Sequence, residues 1–290
     1  MFVQSNSLAA VNTYFQNKLS AEFSSSEIRF MFRELAILRL HLTKEQLMFP
    51  TDVLLSESDL LFFRSSAHKL LEKIPFQHIC GYTYFGDLKI QCNSDALIPR
   101  PETVELADWI ASYSPKNVLD ICTGTGCIAL YIKDKLETCN LIALDISEDA
   151  LKLAKLNALS LNLEVHFQQH DVLNQPLSRC IEAENCDVIV SNPPYIPQKE
   201  KQEMADQVIL HEPHIALFVS DDDPLIFYKQ ISTEALNALL PGGNLFFEIH
   251  ESFGMEMQKL LDEMGYINIE LRKDLQGKDR MIKGQKPKFA

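Results

Sequence analysis

The spacing of apolar residues changes character twice along this 290-residue chain. Over the first 75 residues it is helical. Ser24-x-x-Glu27 has the form of a capping box and precedes an apolar run from Ile28 to Leu40. Ser56-x-x-Asp59 opens a second helix, in which Leu60, Phe63, Ala67, Leu70 and Ile74 share one face and Pro75 is the terminator. Tyr82 to Ile90 then alternates around Gly86-Asp87, a hairpin signal. It leads to Leu97-Ile-Pro-Arg-Pro-Glu-Thr103, a proline-braced loop ahead of a helix. Beyond this, strand-like runs over 117–122, 141–146, 164–170 and 187–191 alternate with helical stretches over 126–136 and 148–161. Further strands over 244–249 and 267–272 flank a helix near 253–264, and 280–283 is expected as an antiparallel edge. The predicted organisation is a helical domain over 1–75, a hairpin linker over 76–100 and a doubly wound α/β domain over 101–290.

Composition fits that picture, with 46% hydrophobic and 23% charged residues. No basic region followed by an apolar run opens the chain, and no apolar stretch approaches the roughly 20 residues of a membrane span. A soluble, cytoplasmic protein without a membrane partner is expected. The seven cysteines include no C-x-x-C pair and read as reduced, packed thiols. Net charge is −13, and the eight basic and eight acidic residues up to Pro75 cancel, so the whole excess lies beyond it. Phosphate backbones are held by cations, so this distribution disfavours a nucleic-acid substrate.

Chemistry concentrates at the ends of the strands. Asp120-Ile-Cys-Thr-Gly124-Thr-Gly126 follows the first strand of the α/β region and opens a helix. Glycine at 124 and 126 lets a ligand approach the backbone and permits positive φ. A G-x-G suits a nucleotide site or only a tight turn; the third position of G-x-G-x-x-G falls at Ala129, which such sites tolerate. Asp145 ends the next strand about 20 residues on, placed to hold ribose hydroxyls. Its competing role is helix capping beside Ser147. Asp171, at the end of the run over 164–170, is placed for an adenine amino group. These residues indicate a nucleotide-type cofactor, and both NAD and S-adenosylmethionine carry the ribose they require.

Ser191-Asn192-Pro193-Pro194-Tyr195 sits at the carboxyl end of a strand, where open α/β sheets bind ligands. Two prolines there stiffen the backbone and leave carbonyls without local N–H partners. Such acceptors suit a planar –NH2 group: Asn192 and Pro193 each take one hydrogen, and Tyr195 stacks on the flat face. Accepting both N–H bonds returns electron density to an amide nitrogen, and in-line placement against a sulfonium methyl does most of the rest. No metal is needed.

Together, Thr123–Gly126 and Asn192–Tyr195 resemble the methyltransferases that modify amino groups of adenine, cytosine or glutamine. More of the chain is similar to the HemK/PrmC family of protein-(glutamine-N5) methyltransferases. The matching segments are Gln77 with Gly81-Tyr82, Leu97–Thr103, Glu212-Pro213, Ala216-Leu217, Pro241–Gly243, Glu248-Ile249 and Lys273–Arg280. The resemblance spans roughly the whole chain and is weakest over the first 70 residues. It implies a seven-stranded, Rossmann-like class I S-adenosylmethionine methyltransferase domain behind a helical substrate-docking domain. It further implies cofactor contacts from Cys122, Thr123, Gly124, Thr125 and Gly126, and from Asp145, Val172 and Asn192. The implied partner is a peptide-chain release factor, whose Gly-Gly-Gln glutamine is held and methylated among Asn192, Pro193, Pro194 and Tyr195. Three positions depart from the family pattern: Cys122 and His250 replace usual glycines, and Ser220–Pro224 replaces a glycine-rich turn.

Other chemistries fare worse. His211-Glu-Pro-His214 lacks H-e-x-x-H spacing, Asp221–Asp223 reads as a solvated acidic loop, and no G-x-S-x-G occurs. The alternatives that remain are a DNA or RNA base methyltransferase, which needs a basic cleft and base flipping, and a silent cofactor-binding adaptor, against which the intact Asn192 and glycine loop weigh.

Overall fold

The structure, a computed structural model, describes residues 3, 5–43, 47, 53–180 and 185–288. They form two compact units, Met1–Gly81 with Ala205–His211, and Tyr82–Met204 with Glu212–Ala290. The short helix Phe76–Cys80 thus belongs to the first unit and the hairpin to the second.

The first unit contains helices α1 (Leu8–Leu19), α2 (Ser25–Leu40), α3 (Glu57–Leu71) and α4 (Phe76–Cys80). Both expected capping boxes are present: Ser24 with Glu27 on α2, and Ser56 with Asp59 on α3. The apolar faces meet around Phe15, Phe32 and Phe63, whose ring centroids lie 5.6 and 5.1 Å apart in succession. Burying each of these rings contributes roughly 1.5–3 kcal/mol. The expected end at Pro75 is corrected. α3 stops at Leu71, Lys73 turns left-handed with φ 63, and Pro75 is the N-cap of α4. A proline without an N–H suits a helix start better than an interior.

The second unit opens with the hairpin β1 (Tyr82–Phe85) and β2 (Leu88–Gln91), followed by α5 (Pro101–Ala111). A sheet then alternates with helices: β3 (Asn117–Ile121), α6 (Cys127–Lys135), β4 (Asn140–Asp145), α7 (Glu148–Leu161), β5 (His166–Gln169), β6 (Cys186–Ser191). β7 (Ile196–Pro197) and β8 (Phe218–Val219) form a separate two-stranded pair. α8 (Ile226–Ala238), β9 (Leu239–Glu248), α9 (Gly254–Glu263), β10 (Ile267–Lys273) and β11 (Asp279–Gln285) complete the unit.

The seven-stranded order is β10-β11-β9-β6-β3-β4-β5. β5, β4, β3, β6 and β9 run parallel, and β11 runs antiparallel to both of its neighbours. Alternate residues divide between two cores, as period-2 geometry demands. Val118, Val190 and Phe246 face α5 and α6, whereas Leu119, Ile189 and Phe247 face α8 and α9. The strand expected at the sheet edge is corrected: β11 lies inside, and β10 holds the edge. Strand order reverses between β6 and β3, which leaves a crevice at their carboxyl ends.

Candidate active site

The loop leaving β3 is held in a high-energy backbone path by specific bonds. Cys122, Gly124 and Gly126 have φ 62, 55 and 81. The Thr123 amide donates to Leu144 O at 2.9 Å, and the Thr123 hydroxyl donates to Asp120 Oδ2 at 2.6 Å. Asn157, fully buried on α7, donates to Thr125 O at 3.0 Å and to Gln91 O at 3.2 Å, and accepts from Gln91 N at 2.7 Å. One side chain therefore ties the loop to the hairpin. A Cβ built on Gly124 would meet nothing within 4 Å, so the backbone there faces open space. Burial pushes Asp120 up to about 7 and the Cys122 thiol far above its ordinary range.

Open space at the crevice amounts to a cavity of about 240 Å³. Asp145 lines it from the end of β4, with Oδ2 accepting from Gly124 N at 2.8 Å and Oδ1 from Ser147 N at 2.9 Å. Each oxygen retains a lone pair, so the pair can still accept from a vicinal diol. Burial raises the Asp145 carboxyl despite these bonds. Ser147, not Asp145, caps α7 by accepting from Ala150 N at 3.1 Å. Asp171 and Val172 line the next stretch of wall, where Asp171 Oδ1 accepts from Leu173 N at 3.1 Å. With apolar Ile146, Val172 and Leu173 alongside, the wall offers carboxylates to hydroxyl or amino hydrogens and a flat slot to an aromatic ring.

β6 delivers the Asn-Pro-Pro-Tyr segment to the same cavity. Ser191 anchors the strand end by donating to Ile121 O at 2.6 Å. Asn192 and Pro194 line the cavity. Asn192 Nδ2 donates to Thr103 Oγ1 at 3.4 Å, and Thr103 donates onward to Glu248 Oε2 at 2.6 Å. Tyr195 donates its hydroxyl to Glu248 Oε1 at 3.1 Å, and Tyr228 donates to the Glu248 carbonyl at 3.0 Å. Glu248 is only 2% exposed; burial raises its carboxyl, opposed by the Thr103 and Tyr195 hydrogen bonds and the Arg280 charge.

Arg100, Pro213, Ile215 and Ala216 also line this space. Glu212 accepts from Arg100 at 2.7 Å and from Ile98 N at 3.0 Å, cross-linking the proline-braced loop to the chain that carries Ile215 and Ala216. His250 Nε2 donates to Glu200 Oε2 at 3.0 Å and stands edge-on to Tyr195, its ring centroid 6.0 Å away. In the turn 220–224, Asp221 accepts from Lys199 N at 3.0 Å and Asp223 pairs with Lys229 at 2.7 Å. Among the described residues no three His, Cys, Asp or Glu side chains group as a metal site, and no helix is long and apolar enough to cross a membrane.

Of the residues singled out from the sequence, Cys122, Thr123, Gly124, Thr125, Asp145, Asp171, Val172, Asn192 and Pro194 line one cavity. Gly126, Pro193 and Tyr195 are not among the lining residues: Gly126 caps α6, Pro193 is buried, and Tyr195 is tied to Glu248. Sequence reasoning gave Thr103, Glu248, Glu212 and Asn157 no role. A lone acid in the apolar run Leu245-Phe-Phe-Glu-Ile249 was the available signal, because unpaired buried carboxylates are rare.

The chain is similar to known methyltransferases. The methyltransferase small domain family matches residues 103–221. A release factor glutamine methyltransferase of Flavobacterium psychrophilum is 37% identical over 279 residues, 93% of this chain and 96% of that protein. Its namesake in Bacteroides thetaiotaomicron is 34% identical over 274 residues, 94% and 98% of the two chains. The crystal structure of a methyltransferase from Pyrococcus furiosus superposes with a TM-score of 0.51 at 16% identity, covering 80% of this chain and 100% of that one. At that identity the likeness is one of fold.

Proposed function

This chain belongs to the release factor glutamine methyltransferase family, and we propose that it methylates the side-chain amide nitrogen of the glutamine in a release factor's Gly-Gly-Gln motif. Its larger unit has the architecture of a class I S-adenosylmethionine methyltransferase, and S-adenosylmethionine is the methyl donor. The observation that carries the reading is the meeting of Asn192 with Gly124 and Asp145 in one cavity at the switch point of the sheet.

Bound S-adenosylmethionine supplies an electrophilic methyl group on a sulfonium. Asp145 holds the ribose hydroxyls with its remaining lone pairs, while Gly124 gives the backbone close approach. Asp171 takes the adenine amino group, with Val172 against the ring. Cys122, Thr123, Thr125 and Gly126 shape the loop. Asn192 Oδ1 and the Pro193 carbonyl accept the two N–H bonds of the glutamine amide, returning lone-pair density to its nitrogen, which releases one of these two protons to solvent as it takes the methyl group. Both acceptors are fixed before the reaction, so they need no reorganisation as charge develops. Pro194 and Tyr195 keep that segment rigid, with Tyr195 held by Glu248. The helical unit is assigned to contact with the release factor.

The test is transfer of labelled methyl from S-adenosylmethionine to a purified release factor, with mass spectrometry of the Gly-Gly-Gln peptide. One methyl group on the glutamine is expected, and none when that glutamine is replaced. Efficient methylation of DNA or RNA, with an unmodified release factor, overturns the assignment.

A further inference from the structure

Glu248 does not line the cavity, yet the hydrogen-bond chain that runs back from Asn192 through Thr103 ends on it. Thr103 donates to one carboxylate oxygen at 2.6 Å and Tyr195 to the other at 3.1 Å. A carboxylate offers acceptors only, so Thr103 must commit its single hydroxyl hydrogen to Glu248. What Thr103 Oγ1 keeps is a lone pair, and Asn192 Nδ2 lies 3.4 Å from it. Among the described residues that is the hydrogen bond the Asn192 side chain makes.

An asparagine side chain has two nearly isosteric ends, exchanged by a half-turn about Cβ–Cγ. Toward a substrate –NH2 the two orientations are opposite: one presents an acceptor, the other sets donor against donor. With Nδ2 turned to Thr103, Oδ1 is the end left for the substrate.

We infer that Glu248 is a positioning residue: through Thr103, its carboxylate fixes the polarity of the chain Glu248–Thr103–Asn192 and holds Asn192 Oδ1 as the acceptor for the glutamine amide. The inference rests on the role given to Asn192 above. It explains why an acid is kept at 2% exposure within the apolar run Leu245–Ile249. It also accounts for a threonine in the first turn of α5, since this bond joins Thr103 on α5 to Glu248 at the end of β9, 145 residues away. Removing the charge while keeping the shape reverses the chain. A glutamine at 248 can donate to Thr103, whose hydroxyl then turns to donate to Asn192 Oδ1, leaving Nδ2 facing the substrate.

Glu248→Gln tests this in the full-length protein. Expected are unchanged S-adenosylmethionine affinity by calorimetry, a release-factor KM close to wild type, and a kcat at least 50-fold lower. Asn192 side-chain amide resonances, assigned in a 15N-labelled protein, are expected to move. Should Glu248→Gln fail to fold, Thr103→Val breaks the same relay and is expected to show the same split, with Thr103→Ser recovering most of the rate. A folded Glu248→Gln or Thr103→Val enzyme with wild-type kcat overturns the inference, as do Asn192 resonances that stay in place. If the wild-type protein itself leaves release factor unmodified, the functional reading fails; the amide resonances still decide the polarity of the chain.

Discussion

Asp145, at the end of β4, holds the amide of Gly124 at 2.8 Å in the loop that leaves β3. The carboxylate proposed to take ribose hydroxyls is therefore also a strut of the glycine loop. Asp145→Ala removes both, and S-adenosylmethionine affinity is expected to fall by roughly 1.5–3 kcal/mol, the worth of hydrogen bonds to a charged group. Calorimetry on the folded variant checks it. Wild-type affinity would remove Asp145 from the binding site.

Asn192→Ala deletes the acceptor proposed for the substrate amide and leaves Gly124 and Asp145 in the cavity. Loss of one preorganised group of this kind costs about 10²–10³ in kcat. Single-turnover rates with saturating cofactor are the measurement. Rates near wild type would show that the amide is polarised elsewhere.

Asp120 gives the fold a pH dependence of definite sign. Burial pushes its carboxyl to about 7 from an ordinary value of 3.8. Between those values the folded protein binds the proton and the unfolded chain does not, so stability falls as pH rises through this window. One proton sets the limiting slope at about 1.4 kcal/mol per pH unit. Asp120→Asn, which mimics the protonated form, is expected to flatten the urea-denaturation midpoint between pH 4 and 7. An unchanged slope would mean that Asp120 is ionised throughout.

Cys122 occupies φ 62, where a side chain costs roughly 1–2 kcal/mol. Glycine relieves that strain but frees the unfolded chain by about 0.4–1 kcal/mol. Cys122→Gly is therefore expected to raise stability by up to about 1.5 kcal/mol, read as a higher urea midpoint at unchanged slope. A lower midpoint would show that the thiol's packing outweighs the strain.

Local signals made much of this molecule legible. Ser24 with Glu27 and Ser56 with Asp59 cap helices through bonds made within four residues. Gly124, Asp145 and Asn192 fall at strand ends, where the sheet's geometry brings them into one cavity whatever the detailed packing. Elsewhere the deciding interaction was distant or weak. α8 has no side-chain cap, and it opens with Ile226-Phe-Tyr, residues that favour strands. Nothing near Arg280 states that its strand inserts between β9 and β10, because that depends on pairing with Phe247 and Leu271. Thr103 and Glu248 were visible as letters of a family pattern, but their partnership exists only once α5 lies against the end of β9.

The start of β9 pairs loosely with β6. Cys186 faces Leu239 and Val188 faces Asn244, so two steps along one strand are matched by five along the other. From Asn244 onward the pairing is one to one up to Phe247 opposite Ser191. The stretch from Leu239 to Gly243 can thus gain or lose a residue without changing which way Glu248 points. A single deletion beyond Asn244 reverses parity, sending Glu248 to the opposite face and bringing Ile249 into its place opposite Thr103. Length variation is therefore tolerable in one half of this strand and ruinous in the other, and related chains that differ by insertion in β9 should carry it before the residue equivalent to Asn244.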